Sequence, residues 1–302
     1  MRLQDEPTCV RQRARFFKRL IFTAILLWAA ATASAELFGQ APKDLKIPGY
    51  TPVKVPFHPG QSLTYRISWA GIPAAGATID VHGNPANPEL WTGEARVSTN
   101  ELVDLLFKMR DYMRENFARR SLAPRDIYIK QSENQRLHEY LINFDSGSGM
   151  VRMVKRHKQM SEKVEFHSPN PMGPISGSLM ALSQPLEVGQ TLIFDVFAGH
   201  NRYVVALKVE RRERVRVALG DFDALRITPT ILYVSDAEVR GKVREATLWV
   251  SADARHLPLR VQTAAFVGYI TADLVQVDDN TPATHPDLAH PKPAQNLADD
   301  EP

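Results

Sequence analysis

The stretch Leu248-Trp-Val-Ser-Ala-Asp-Ala-Arg-His-Leu-Pro-Leu-Arg-Val-Gln-Thr-Ala-Ala-Phe-Val-Gly-Tyr-Ile-Thr-Ala-Asp-Leu274 decides the fold. Leu257, Leu259 and Val261 alternate with polar side chains, which is the two-residue period of a β-strand with one buried face. A polar break, residues 251–256, separates this strand from the one before it, so the two are predicted to pair antiparallel. The alternation then continues to the end of the stretch.

The same alternation occurs along most of the chain. Further strands are predicted at residues 63–69, 77–81, 91–97, 110–117, 127–130, 137–144, 150–154, 191–197, 202–211, 215–219, 224–228 and 242–250. No segment keeps a period of 3.6 residues, and no unit repeats at a fixed length, which argues against βαβ and solenoid architectures. The sequence therefore predicts an all-β fold, a single curved antiparallel sheet, barrel- or clam-like, with one or two short helices.

The first predicted helix covers residues 101–107. Asn100 is a favourable N-cap, and Leu102, Leu105 and Leu106 share one face of the helix. We expect this apolar face to plug the open end of the curved sheet.

A proline-rich segment, residues 168–188, contains the second predicted helix at residues 175–183. Its four prolines interrupt the strand pattern because proline removes a backbone donor. We expect this segment to connect two halves of one sheet, which meet around it.

The first 35 residues have the features of a secretory signal peptide. Five basic residues between Arg11 and Arg19 precede the apolar run Leu20–Ala31, and Ala33-Ser34-Ala35 has the small residues of a cleavage site. We expect cleavage after Ala35 and a periplasmic protein that begins at Glu36. A retained anchor is the alternative, but the apolar run is shorter than the roughly 20 residues that span a bilayer.

Cleavage would change both the charge and the thiol content of the protein. The segment holds six of the 37 Lys and Arg residues and two of the 34 Asp and Glu residues, so the remainder carries a net charge of −1. Nucleic-acid binding therefore loses its compositional support. The single cysteine, Cys9, would also be removed, which excludes a disulfide, a thiolate nucleophile and a cysteine metal site.

Three segments are expected to follow the signal peptide. Residues 36–56 are rich in proline and are predicted to form an extended leader. Residues 57–277 are predicted to form one β domain. Residues 278–302 combine proline with acidic residues and few apolar ones, which predicts a disordered tail.

Four segments of the predicted domain carry a resemblance to a known family. They are Phe57-His-Pro-Gly-Gln-Ser-Leu-Thr-Tyr-Arg-Ile-Ser-Trp-Ala-Gly-Ile-Pro-Ala-Ala-Gly-Ala-Thr78, Phe107-Lys-Met-Arg-Asp111, Gly220-Asp-Phe-Asp-Ala-Leu-Arg-Ile227 and Leu248-Trp-Val-Ser-Ala-Asp-Ala-Arg-His-Leu-Pro-Leu-Arg-Val261. In this order they resemble the DUF3108 family of exported bacterial β-rich proteins. The resemblance implies an envelope location and a curved, barrel-like sheet, and it carries over no catalytic residue because the family's function is unknown.

A search for catalytic chemistry gives no candidate. The sequence has no zinc-protease motif, nucleophile elbow, phosphate loop or dinucleotide fingerprint. The glycine-serine segments 145–149 and 176–178 are explained by turn geometry. His157 and His167 lie among lysines and an arginine, which would repel a divalent cation. We therefore predict no catalytic residues, no metal and no cofactor.

Two charged segments have more than one interpretation. Arg110 and Asp111, with Arg114 and Glu115, are either alternating surface charges or a buried ion pair at the sheet mouth, where Arg110 could hold an anionic headgroup. A catalytic acid is the least favoured role. The basic residues between Arg211 and Arg216 are either a solvated hairpin end or a contact with anionic lipid.

An aromatic set is the best candidate for ligand binding. Tyr65, Trp69 and Trp91 are predicted on the inner face of the first strands, joined by Phe107, Met109 and Trp249, with Arg110 at the mouth; these seven residues are the predicted ligand-binding set. Core packing is their default role. The alternative is that they line a cavity, because a strongly curved sheet encloses more space than its own side chains fill.

Two functions compete on these grounds. The first is a non-catalytic envelope protein that binds a lipid or other apolar molecule within the curved sheet. The second is a structural or assembly factor of the envelope that has a packed sheet and acts through its surface on a protein partner. An integral outer-membrane barrel is disfavoured because the predicted outward positions are polar.

Overall fold

A computed structural model describes residues 47–279 except residues 159, 236–237, 243–245 and 266–267. The predicted signal peptide, the first part of the leader and nearly all of the predicted tail lie outside the described residues. The described part of the leader, residues 47–56, contains no helix or strand. It packs against the domain, where Lys54 donates its backbone N–H to the carbonyl oxygen of Ser183 at 3.2 Å.

Strands dominate the described chain, and only two helices occur within it. The strands are β1 (Gln61–Trp69), β2 (Ile72–Gly83), β3 (Leu90–Thr99), β4 (Met109–Ala118), β5 (Pro124–Glu133), β6 (Arg136–Asp145), β7 (Met150–His157), β8 (Met160–His167), β9 (Pro171–Met172), β10 (Thr191–Ala198), β11 (Asn201–Val217), β12 (Gly220–Ser235), β13 (Glu238–Lys242), β14 (Ala246–Ser251), β15 (Pro258–Ala264) and β16 (Tyr269–Asp278). The helices are α1 (Glu101–Asp104) and α2 (Pro174–Ser183).

All the strands belong to one sheet. Its order is β8-β7-β6-β5-β4-β3-β2-β1-β16-β15-β14-β12-β11-β10-β9, with β13 added on β12. Every pair of neighbours is antiparallel except β9 and β10. The path does not close, since β8 and β9 are its two ends. The fold class predicted from the sequence, an all-β protein with one curved antiparallel sheet and short helices, is confirmed.

The antiparallel hairpin predicted from the opening stretch is present. Leu248 lies opposite Val261 on β14 and β15, and Val261 lies opposite Ala272 on β16. These residues and Leu259 are buried on one face. The two halves of the sheet are hydrogen-bonded to each other through β1 and β16. The strands at the free edges, β8 and β9, follow one another in sequence just before α2.

The first helix differs from its prediction. Asn100 caps α1 as expected, because its side chain accepts the backbone N–H of Val103 at 2.9 Å. The helix ends at Asp104, however, and its leucines do not enter the sheet: Leu102, Leu105 and Leu106 are all exposed. The prediction failed because α2 already occupies the interior of the sheet, which the alternation of residues in the sequence does not reveal.

Candidate functional site

Helix α2 runs through the interior of the curved sheet. Nine of its ten residues are buried, as expected for a helix that is apolar on all sides. Gly173 is its N-cap and Pro174 begins the helix, where a missing N–H costs nothing. The sheet makes room for it at Gly93, because a side chain there would meet Ile175 at 2.7 Å.

The N-terminus of α2 is held by a carboxylate on the opposite wall. Glu115 on β4 is fully buried, and its carboxylate oxygens accept the backbone N–H groups of Ile175 at 2.8 Å and Ser176 at 3.2 Å. Negative charge is favourable at this end of a helix. Burial nevertheless dominates and raises the pKa of Glu115 to about 7. The sequence search missed this role because Glu115 and the helix lie 60 residues apart.

A second acidic side chain lies on the same inner face of β4. The carboxylate of Asp111 accepts the backbone N–H of Ser132 at 2.9 Å through Oδ1, while Oδ2 has no hydrogen-bond partner among the described residues. Burial raises the pKa of Asp111 to about 7, and the charge of Glu133 adds to the rise. Asp111 and Glu115 are therefore interior groups, and the interpretation as alternating surface charge is wrong for both.

Arg110 does not form the buried ion pair at the sheet mouth that was one of its two interpretations, and it fits the other, a surface charge. It is exposed on the outer face and pairs with Asp104 of α1 at 2.5 Å. This contact lowers the pKa of Asp104. Arg110 therefore does not reach the interior, where it was expected to hold an anionic headgroup.

A cavity of about 100 Å³ lies between α2 and the second half of the sheet. The helix contributes small residues, Gly177, Ser178 and Ala181, which leave space beside it. The sheet contributes most of the lining, which is Tyr65, Ile79, Leu192, Phe194, Val196, Val205, Leu207, Val209, Ile227, Leu248, Pro258, Val261 and Ala272. Pro174 and Leu182 of α2, and Leu186 after it, complete the wall.

The cavity is almost wholly apolar, and its hydroxyl groups are already bonded. Tyr65 donates its hydroxyl to the carbonyl oxygen of Pro258 at 2.9 Å, and burial raises the pKa of this phenol. Ser178 donates to the carbonyl oxygen of Pro174 at 2.7 Å. The described lining residues include no acid, histidine, lysine or cysteine. The site can therefore enclose an apolar group but offers no obvious group for acid, base or nucleophilic chemistry.

One residue of the predicted ligand-binding set, Tyr65, lines this cavity. Phe107 and Met109 are buried in the main core. Trp91 is partly buried and packs edge-on against Phe117, with ring centroids 6.4 Å apart. These three residues lie inside, as expected, but they border other parts of the core.

Trp249 is not on the inner face, contrary to the prediction, and Trp69 has the inward phase of β1 but is not enclosed. Trp69, the last residue of β1, is 40% exposed. Trp249 lies on the outer face, where its ring N–H donates to Glu213 at 2.6 Å and Arg226 lies 5.8 Å from its centroid. The neighbouring Leu248 lines the cavity instead, because successive residues of a strand face opposite sides.

The sequence also gave no signal for the lining residues of β10 and β11. Phe194, Val205 and Leu207 face the cavity, but they look like ordinary core residues in an alternating strand. Only the position of α2, which depends on contacts distant in sequence, distinguishes a cavity wall from a packed core.

The described residues contain no group of three or more His, Cys, Asp or Glu side chains that could hold a metal ion. No helix among them is long and apolar enough to cross a membrane.

Similarity to individual known proteins is weak. No curated protein matches the chain. One solved structure found by structural comparison is a β-barrel-like protein of the DUF1849 domain from Brucella abortus. It has 9% sequence identity to this chain and a TM-score of 0.47, and the match covers 73% of this chain and 98% of that one. A protein with a YmcC-like fold from Bacteroides fragilis has 10% identity and a TM-score of 0.29, covering 76% and 99%.

The family model described as "Protein of unknown function (DUF3108)" matches residues 64–275. This range begins within β1 and ends within β16, so it includes every other strand and both helices. The match confirms the resemblance carried by the four sequence segments. The chain belongs to the DUF3108 family.

Proposed function

We propose that this chain is a non-catalytic protein of the cell envelope that holds an apolar molecule in the cavity between α2 and the second half of the sheet. The observation that carries the proposal is the cavity itself: a continuous apolar wall around an unfilled space, beside the small residues of a buried helix. Protein interiors ordinarily pack with few voids larger than a water molecule.

The size of the cavity indicates the kind of ligand. At about 100 Å³, it is smaller than the roughly 300–1,000 Å³ of most small-molecule sites and nearer to the ~150 Å³ engineered cavity that binds benzene. A slender alkyl segment suits this space better than a bulky ring system. Each methylene transferred from water contributes about 0.8 kcal/mol, so about five methylenes contribute about 4 kcal/mol before ordering costs.

The non-catalytic part of the proposal is supported by the lining. The hydroxyl groups of Tyr65 and Ser178 donate to backbone carbonyl oxygens. The two interior carboxylates, Asp111 and Glu115, are not among the residues that line the cavity. The envelope location is supported by the small residues Ala33-Ser34-Ala35 after an apolar run.

A cavity-filling variant tests the proposal. Ala181 faces the cavity from α2, and Ala181→Leu should occupy the space that the ligand would use. We expect the uncharged dye N-hexyl dansylamide, whose unbranched alkyl chain suits the cavity, to bind the native protein and to lose at least about tenfold in affinity in this variant.

The matched control is Ala86→Leu, at an exposed position in the β2–β3 turn. It adds the same side chain without entering the cavity and should leave dye binding unchanged. Equal dye binding by both variants, with both shown to be folded, would refute the cavity as the binding site.

The alternative function is an envelope assembly factor that uses its surface. One observation favours it: α2 already fills much of the interior, with nine of its ten residues buried. In that case the native protein should exclude the dye entirely while remaining folded.

A further inference from the structure

Exposed apolar side chains concentrate at one end of the sheet, the end at which β1 ends and β2 begins, here called the α1 end. Eleven large hydrophobic residues are exposed in the described part of the chain, and eight of them lie at this end. Six form what we call the apolar rim: Trp69, Ile72, Leu102, Leu105, Leu106 and Tyr269. Single exposed apolar residues are ordinary, whereas a cluster marks an interaction surface.

The rim is assembled from three segments that are fixed to one another. Trp69 and Ile72 are directly opposite in the β1–β2 hairpin. Helix α1 is attached to β2 through Asn100, whose side chain donates to the carbonyl oxygen of Pro73 at 2.7 Å. Tyr269 accepts the backbone N–H of Ala70 at 2.8 Å through its carbonyl oxygen. The folded sheet thus presents the rim as one surface.

The most exposed members of the rim are at its tip. Leu105 and Leu106, which directly follow α1, are 82% and 89% exposed, while Leu102 of α1 and Ile72 at the start of β2 are 67% and 65% exposed. Trp69 and Tyr269 are less exposed and combine an apolar ring with a polar N–H or O–H group. Such rings favour the boundary between lipid headgroups and acyl chains, with aliphatic side chains inserted deeper.

Cations surround the rim on the side of the first strands. Lys108 is exposed directly after α1 and its backbone exchanges hydrogen bonds with Asn134 in the β5–β6 turn, at 2.7 and 2.8 Å. Arg136 follows that turn, and Lys158 lies in the β7–β8 turn. These three cations form no salt bridge with any residue that the structure describes, whereas Asp104 is neutralised by Arg110. Glu101 is the exposed acid on α1.

We propose that the α1 end docks on a lipid bilayer that contains anionic phospholipid. The apolar rim lies in the headgroup and upper acyl-chain region, and Lys108, Arg136 and Lys158 contact the headgroups. Charge complementarity favours a bilayer with anionic lipid as the occupant, since three exposed cations without salt bridges to described residues lie at the same end of the sheet as the rim. The contact is peripheral and reversible because a few inserted side chains bury little area.

Vesicle binding tests the proposal with the purified protein from Glu36 onward, because the basic and apolar segment before it would itself bind anionic vesicles. The probe is a vesicle of phosphatidylethanolamine with one quarter phosphatidylglycerol, and binding is measured by co-sedimentation. We expect Leu105→Gln/Leu106→Gln to weaken binding at least about tenfold, because two inserted side chains are lost. We expect Lys108→Gln/Arg136→Gln to weaken binding as well, and to reduce its dependence on salt.

The matched control is Val188→Gln/Leu219→Gln, which removes two exposed apolar side chains from the opposite end. It should bind vesicles as the native chain does. Equal vesicle binding by Leu105→Gln/Leu106→Gln and by the control would overturn the proposal. Equal binding of the native chain to vesicles of phosphatidylcholine alone would also overturn it. A third contrary result is that Leu105→Gln/Leu106→Gln loses an envelope protein partner but still binds vesicles.

Discussion

Gly173 and Glu115 fit together without room for one more carbon: a Cβ atom on residue 173 would lie 2.1 Å from the Oε1 atom of Glu115. The backbone of Gly173, at φ −87°, suits any residue, so space and not conformation requires glycine. The contact joins the wall of the sheet to the start of the helix inside it. It therefore fixes where α2 lies and, with it, the shape of the cavity.

Gly173→Ala should destabilise the protein by about 1–3 kcal/mol, because the added methyl group forces Glu115 and α2 apart. Urea unfolding measures this loss. The effect should shrink in a Glu115→Ala background, since the clash is then removed.

Gly83→Ala is the matched control for this substitution. A Cβ at residue 83 meets nothing within 4 Å, so its effect should stay within about 0.5 kcal/mol. A loss as large as that of Gly173→Ala would contradict the steric account.

Asp111→Asn should make the protein less sensitive to pH. The pKa of Asp111 is raised from 3.8 to about 7, so the folded state holds the proton more tightly than the unfolded chain does. The bound proton therefore stabilises the folded state. This contribution to the free energy of unfolding is fully present below pH 3.8 and is lost as the pH rises towards 7. The variant should exceed the native protein in unfolding free energy at pH 8 by up to about 4 kcal/mol and differ little at acid pH.

Urea unfolding across this pH range measures the effect. Glu115 titrates with the same sign, because burial also raises its pKa to about 7, so some pH dependence remains in the variant. Asp145→Asn is a control of opposite sign, since the Ser148 hydroxyl lowers the pKa of the exposed Asp145. A native protein that gains stability between pH 4 and 7 through Asp111 would contradict the prediction.

Arg202→Met should cost about 3–5 kcal/mol, because it leaves a buried carboxylate without its partner. Asp195 on β10 is completely buried, and Arg202 on β11 donates to both of its oxygens at 2.9 Å. Thermal unfolding measures the loss.

Arg216→Met provides a matched control at the surface. Arg216 donates to Asp221 in the same two-bond geometry, at 2.7 and 2.8 Å, but the pair is exposed. Its loss should cost under about 1 kcal/mol. Similar costs at the two sites would show that burial of Asp195 is not what makes its pair important.

The strands were predicted well from the sequence where one face of the sheet is buried and the other is exposed to solvent. Leu259 and Val261 alternate with Arg260 and Gln262, and their burial in β15 follows this pattern. Strand β8 was missed for the opposite reason. Most of its residues are exposed on both faces at the free edge of the sheet, so it shows no apolar alternation, although charges there hinder pairing with other chains.

The candidate site was less predictable because it depends on contacts between distant residues. Trp69 shares the two-residue phase of the buried Tyr65, yet it lies at the strand end, where the sheet no longer covers it. Glu115 occupies an inward position between Met113 and Phe117, but its role appears only when α2 is in place. The alternation along a strand predicts on which face of the sheet a residue lies. It does not predict which element packs against that face.

The mass of the native protein tests the central claim most directly. The protein should be purified from its own envelope without detergent and measured by native mass spectrometry, followed by solvent extraction. We expect additional mass that corresponds to an apolar molecule, released as an alkyl compound on extraction and absent from Ala181→Leu. A folded protein with no mass beyond its polypeptide, and no bound dye, would contradict the account and favour an assembly factor that acts through its surface.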